Sequence, residues 1–205
     1  AYVNWWKSSM LQDEYFFLFI KHHIGDIRLV SVHDNPDILI CSIFGSINNI
    51  PKIKAGCKIF FSGENTDMRP PYNNDELLCT LFDLVIGFKH TDVSKKRIRF
   101  PLWLRYYSYY DYDHNDNILN HIQTSYTRNL QNKTHFANIV ARHDINGQRT
   151  IIYNELSKYC DILSPGLFKN NRPEIGPNNE DKIRYISQGI FNICPENSKG
   201  EGYCT

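Results

Sequence analysis

The stretch Lys58-Ile59-Phe60-Phe61-Ser62-Gly63-Glu64-Asn65 runs from an apolar, strand-forming segment straight into a small residue, a glycine and a carboxylate. In open α/β sheets ligands bind at the carboxyl ends of strands, and a glycine there lets backbone approach a ligand closely. Glu64 therefore stands where a catalytic acid or base would stand. By position alone, Gly-Glu-Asn after a strand is more often an ordinary turn or a helix cap, so the stretch speaks to the fold before it speaks to function.

Outward from it, short apolar or β-branched runs recur at residues 3–6, 28–33, 38–44, 84–88, 136–141 and 190–194, separated by helical or polar stretches. Residues 10–23 can place Leu11, Phe16, Leu18 and Phe19 on one apolar surface at helical length. Such alternation predicts an α/β fold with a mostly parallel sheet. The polar, tyrosine-rich residues 106–117 read as a long loop, residues 118–130 as a helix, and Gln131-Asn132-Lys133-Thr134 as a hinge. Residues 1–131 and 132–205 are accordingly expected to be two domains. The second opens as a βαβ unit, with a strand at 136–141, a helix at 148–159 and an extended 161–163, then a helix near 181–188 and a strand at 190–194. A nucleotide-binding α/β domain usually needs about 100 to 150 residues, so the second domain is expected to be incomplete.

Bulk composition narrows the function classes. The chain has 205 residues, 41% hydrophobic and 14% aromatic, enough for a globular core. Lys plus Arg number 23 against 22 Asp plus Glu, a balance that gives no support to a nucleic-acid partner. The apolar run at 15–20 is too short to span a bilayer and is broken by Lys21, His22 and His23. The six cysteines lie far apart without a Cys-x-x-Cys pair or a Cys/His cluster, which argues against a metal site and for buried free thiols, as within Ile40-Cys41-Ser42-Ile43. Asn132-Lys133-Thr134 fits the N-glycosylation pattern, relevant only to a secretory protein.

Two further features carry chemistry. Asn192-Ile193-Cys194-Pro195-Glu196-Asn197-Ser198 ends a strand in carboxylate, amide and hydroxyl groups, and the glycine-rich Lys199-Gly200-Glu201-Gly202-Tyr203-Cys204-Thr205 that follows could wrap a nucleotide sugar. A Pro-initiated turn whose Asn and Ser satisfy the backbone is the commoner use of such a sequence. Arg149 begins the helix after the first strand of the second domain, where unpaired amides and a guanidinium could together face a diphosphate. An arginine in a first helical turn is usually just solvated, and chemistry alone does not decide between the two.

Taken together and in order, these pieces resemble the α-1,3/4-fucosyltransferases, glycosyltransferase family 10. The resemblance runs through Asn4-Trp5-Trp6, Phe61-Ser62-Gly63-Glu64-Asn65, Phe82-Asp83-Leu84-Val85-Ile86-Gly87-Phe88 and Arg97-Ile98-Arg99-Phe100-Pro101-Leu102. It continues through Phe136-Ala137-Asn138-Ile139-Val140, Arg149 and Leu156-Ser157-Lys158-Tyr159 to Phe191-Asn192-Ile193-Cys194-Pro195-Glu196-Asn197-Ser198 and Gly202-Tyr203-Cys204-Thr205, the most specific block. It implies a GT-B-like fold of two Rossmann-like domains, an acceptor-binding domain followed by one for GDP-fucose. By the same resemblance Glu64 is the base that deprotonates the acceptor hydroxyl, and Arg149, Asn197 and Tyr203 are donor-binding. The implied reaction is inverting transfer of fucose from GDP-fucose to an N-acetylglucosamine-containing glycan, with no cofactor and no obligatory metal. The family motif ordinarily continues into Glu-Lys beyond Thr205, Pro195 stands where an aromatic is common, and Gly189-Ile190 replaces a Tyr-Lys pair. Two alternatives are a non-catalytic glycan-binding module and a transferase using another nucleotide sugar. A cytoplasmic location is expected, with the Golgi lumen as the alternative, and with peripheral membrane association through segments outside these residues.

Overall fold

The computed structural model of the protein describes residues 1–6, 11–89, 95–106, 132–176, 178–196, 198 and 200–202. They form two compact units, the first drawn from Ala1–Ile118 together with Lys199–Thr205, the second from Leu119–Ser198. The described residues 200–202 thus belong with the first unit. Of the expected loop at 106–117, Tyr106 instead ends a short helix (Trp103–Tyr106), and the rest of that loop, the expected helix at 118–130 and the boundary at Gln131 lie outside the described residues.

The first unit is a five-stranded parallel sheet in the order β1 (Tyr2–Val3), β2 (Ile38–Cys41), β3 (Cys57–Phe61), β4 (Leu84–Gly87), β5 (Arg97–Arg99). Register aligns Cys41, Phe60 and Val85 on one face and Ile40, Ile59 and Leu84 on the other. Both faces are covered, so the central strands read as near-continuous apolar runs rather than alternating ones. Over the first face pack Ile47 and Ile50 of a 3-10 helix (Ile47–Lys52) and Leu78 of α2 (Asp75–Leu81). Over the second packs α1 (Tyr15–Ile24), whose Phe16 and Ile20, four apart, meet Ile40, Phe61 and Ile86. Leu11 joins this cluster, but Phe19 is 38% exposed: it falls at the edge of the stripe, and Tyr15 is buried instead.

Three local features differ from the sequence expectation. Residues 28–33 form no strand. Ser31 N and His33 N donate to Asp34 Oδ2 (3.2 Å) and Ser31 Oγ (3.2 Å), so short polar side chains satisfy the backbone in a turn. α2 is a short helix marked by its cap, with Asn74 Oδ1 accepting from Leu77 N at 3.0 Å and Asp75 and Glu76 in the first turn. β5 is a charged edge strand whose Arg97 pairs with Asp75 at 2.7 Å.

The second unit is a three-stranded parallel sheet in the order β7 (Ile162–Leu163), β6 (His135–Asn138), β8 (Gly189–Asn192). The chain passes from β6 through α4 (Gln148–Leu156) to β7, then returns by way of α5 (Asn179–Ser187) to β8 on the far side of β6. α3 (Trp103–Tyr106) belongs to the first unit. Ala137, Ile139, Ile162 and Phe168 form the core, while Phe136 and Phe191 stay half exposed with ring centroids 5.1 Å apart. Gly189, where Tyr was expected by resemblance, sits opposite His135; a Cβ there would strike the amide of buried Asn138, whose Nδ2 lies 3.0 Å from His135 Nε2. No helix among the described residues is long and apolar enough to cross a membrane.

Candidate active site

Glu64 follows β3 at the carboxyl edge of the first sheet, and its backbone is held on both sides. The hydroxyl of Ser62, a buried residue, donates to Glu64 O at 2.6 Å and accepts from Glu64 N at 3.1 Å. Asn65, also buried, caps the next 3-10 turn (Thr66–Met68) by accepting from Asp67 N at 3.0 Å. The carboxylate itself is half-buried and has no hydrogen-bond or ion-pair partner among the described residues. A fixed backbone with an uncommitted carboxylate is what a general base requires.

Behind Glu64 the packing is aromatic. Gly63 lies against Trp6, so that an added Cβ would meet Cη2 and Cζ2 at 3.1 Å. Phe44 stands beside Trp6 with centroids 4.9 Å apart, and the Arg105 guanidinium lies 4.6 Å over its ring while pairing with Glu14 at 2.8 Å. Neither Trp6, which the sequence reading placed only in the Asn4-Trp5-Trp6 block, nor Arg105 was given a place at the site from sequence. The Trp5-Trp6 pair beside a strand was the available signal for the first, and Arg105 had none.

In the second unit, strand order reverses at β6, with β7 on one side and β8 on the other, the arrangement at which open α/β sheets bind ligands beyond the strand carboxyl ends. Arg149 lies in the first turn of α4 at that end. Its Nη1 donates to His143 O, after β6, at 2.5 Å, and its Nε and Nη2 reach Pro195 O, after β8, at 3.4 Å. The guanidinium therefore ties together the two segments that flank the reversal. The expectation of unpaired amides at this helix start is corrected: Asp144 accepts from Arg149 N at 3.1 Å and Thr150 N at 2.9 Å. Desolvation works against that carboxylate, but the hydroxyl and amide of Thr150 and the amide and guanidinium of Arg149 hold it below the usual aspartate range. Asp144 was missed because it stands four residues before the first helical residue, outside the usual capping position. Asn197 and Tyr203 lie outside the described residues.

A cavity of about 490 Å³ opens at the other end of the first sheet, where Ala1, Phe17, Ile20, Leu29 and Ile38 line it. It adjoins the amino ends of β1 and β2, and neither Glu64 nor Arg149 lines it.

Residues 1–107 match the model of the alpha-(1,3)-fucosyltransferase FucT N-terminal domain. The chain is 28% identical over 247 residues to the alpha-(1,3)-fucosyltransferase FucT of Helicobacter pylori, an alignment covering 100% of this chain and 46% of that protein. It thus spans about half the length of this curated relative. A crystal structure of an alpha1,3-fucosyltransferase superposes with a TM-score of 0.71 at 22% identity, over 100% of this chain and 63% of that one. A second, of an alpha1,3-fucosyltransferase with GDP-fucose, gives a TM-score of 0.66 at 20% identity, over 100% and 62%. With the family match spanning more than half of its residues, the chain belongs to the alpha-(1,3)-fucosyltransferase FucT family and has a GT-B-type α/β fold.

Proposed function

We propose that this protein transfers fucose from GDP-fucose to a hydroxyl of an N-acetylglucosamine-containing glycan with inversion at the fucose anomeric carbon. Glu64 takes the proton of the acceptor hydroxyl as that oxygen bonds to the anomeric carbon; the bond from this carbon to the β-phosphate oxygen breaks, and GDP leaves with the electron pair. The observation that carries the reading is the pinned backbone of Glu64 at a strand carboxyl end, with a carboxylate that has no partner among the described residues, in the Gly-Glu-Asn block of a FucT-family chain. Arg149 would stabilise negative charge growing on the β-phosphate, a task for which a fixed guanidinium suffices without an obligatory metal. Asn197 and Tyr203 are proposed to line the nucleotide-sugar site on the strength of the sequence resemblance.

The test is GDP release from GDP-fucose with N-acetyllactosamine as acceptor, in the naturally occurring protein and its Glu64→Gln variant. Glutamine keeps the side-chain size and cannot take the proton, so a loss of about 100-fold or more is expected, together with a rate unchanged by EDTA. Equal rates in the two proteins would remove Glu64 from the role. Glycan binding without turnover of any donor would replace the transferase reading with that of a binding module.

A further inference from the structure

Three consecutive residues of the segment after β8 lie against the strand-end shelf that carries Glu64, within the first unit. A Cβ at Gly200 would stand 2.7 Å from both Nδ2 and Oδ1 of Asn65, the residue after Glu64. Asn65 is 7% exposed and its Oδ1 already holds Asp67 N at 3.0 Å, so the amide has little freedom to withdraw. Glu201 lines a cavity of about 20 Å³ together with Ser62, Asn65, Lys89 and Arg97. Gly202 has a φ of +67°, a conformation that favours glycine, and a Cβ there would strike the carbonyl oxygen of Phe88. Asn65 and Phe88 follow β3 and β4, which are neighbours in the sheet.

We infer that Gly200 and Gly202 are positioning residues that seat this segment on the Glu64 shelf, so that one contact fixes the base and the start of the donor-side loop together. The inference rests on the proposed transferase reading for its functional half: Tyr203, given a donor-binding role above, is the next residue in the chain after Gly202. The two glycines serve different needs. Gly200 yields room to a side chain, so its requirement can be relieved from the other side. Gly202 yields room to a backbone carbonyl and adopts a left-handed φ, so its requirement cannot be relieved by trimming any side chain.

The test uses Gly200→Ala, Asn65→Ser and the double variant. Serine keeps an oxygen to cap the 3-10 turn while clearing the space an alanine Cβ needs. Hydrogen exchange without substrate reads the contact directly. Gly200→Ala should accelerate exchange in the peptides covering 61–68 and 200–202, and the double variant should restore protection. In the naturally occurring protein, Gly200→Ala should raise the KM for GDP-fucose about tenfold with the acceptor KM unchanged, a misplacement effect, and the double variant should recover most of it. Gly202→Ala should behave like Gly200→Ala and stay unrescued by Asn65→Ser. Unchanged exchange in Gly200→Ala, or a defect that Asn65→Ser does not relieve, overturns the seating. The predicted exchange pattern in a protein that turns over no GDP-fucose supports the seating and sinks the transferase reading instead.

Discussion

Gly63 and Trp6 touch so closely that a methyl group between them would force a neighbour to give by a few tenths of an ångström: an added Cβ would sit 3.1 Å from two indole carbons and 3.3 Å from Leu102 Cδ1. Ordinary carbon contacts lie at about 3.5–4.0 Å. The partly buried indole is hemmed in by Trp5, Phe44 and Phe61 at centroid distances of 4.9, 4.9 and 5.9 Å, and Arg105 covers its face, which resists a shift away from Gly63. Gly63→Ala should therefore destabilise the first unit by about 1–3 kcal/mol, the usual cost of overpacking. The shift in urea midpoint checks it, and an unshifted midpoint would mean that the Trp6 wall is softer than this packing implies. Turnover should fall alongside, because the next residue is Glu64.

Arg105 and Glu14 form a pair whose side chains are 19% and 12% exposed, and the guanidinium also stacks on Trp6. Removing one partner of a mostly buried pair leaves the other charge uncompensated, which costs more than the pair contributes. Arg105→Ala should cost about 2–4 kcal/mol, combining the stranded carboxylate with the lost stacking. Joint replacement by Glu14→Leu and Arg105→Met should be far milder than the sum of the single changes. A double-mutant cycle measures this; coupling near zero would mean that the pair is a spectator.

Asp144 supplies an acid limit to the second unit. Its folded pKa lies below the ordinary 3.8, so the unfolded chain binds the proton first. The stabilisation is whole above that value and is lost as pH falls through it toward the lowered folded value. An acid titration should show the amides of Arg149 and Thr150, which Asp144 accepts from, shifting together. Asp144→Asn should remove that step. A step of the same size in the variant would assign the acid sensitivity elsewhere.

What could be read in the sequence follows from physical range. Strands β2, β3 and β4 were legible because their burial on both faces makes continuous apolar runs such as Ile59-Phe60-Phe61, and the place of Glu64 just past β3 was legible because a strand end is a local pattern. β5 was not, since Arg97-Ile98-Arg99 is short, charged and defined by its pairing with β4 and by Asp75 twenty-two positions earlier. The apolar look of residues 28–33 misled because propensity does not count the turn that Ser31 and Asp34 offer. The pairings of Glu14 with Arg105 and of Gly200 with Asn65 join residues far apart in the chain, and no local pattern announces them.

The opposite pH limit comes from the first unit, where partly buried Asn4 joins the buried side chains of Cys41 and Tyr72. Its Nδ2 lies 3.4 Å from Tyr72 Oη, 3.2 Å from Ser46 O and 3.8 Å from Cys41 Sγ, and Tyr72 donates to Gly45 O at 2.8 Å. Desolvation pushes the Cys41 thiol up to about 12 despite the Asn4 contact, and desolvation with the nearby thiol pushes Tyr72 up to about 12 as well. Both folded values exceed the unfolded ones of 9.0 and 10.0, so the unfolded chain loses its protons first. Stability is therefore intact below pH 9.0 and drains away as pH climbs toward about 12. Urea midpoints at a series of alkaline pH values should fall with a slope that Cys41→Ala reduces, even though the variant starts lower for want of the sulfur's packing. The same burial makes Cys41 inert to thiol reagents until the unit unfolds, whereas exposed Cys194 reacts at once. If Cys41 were labelled as fast as Cys194 in the folded protein, the cluster around Asn4 would have to open on its own, and the alkaline slope would then report that opening rather than global unfolding.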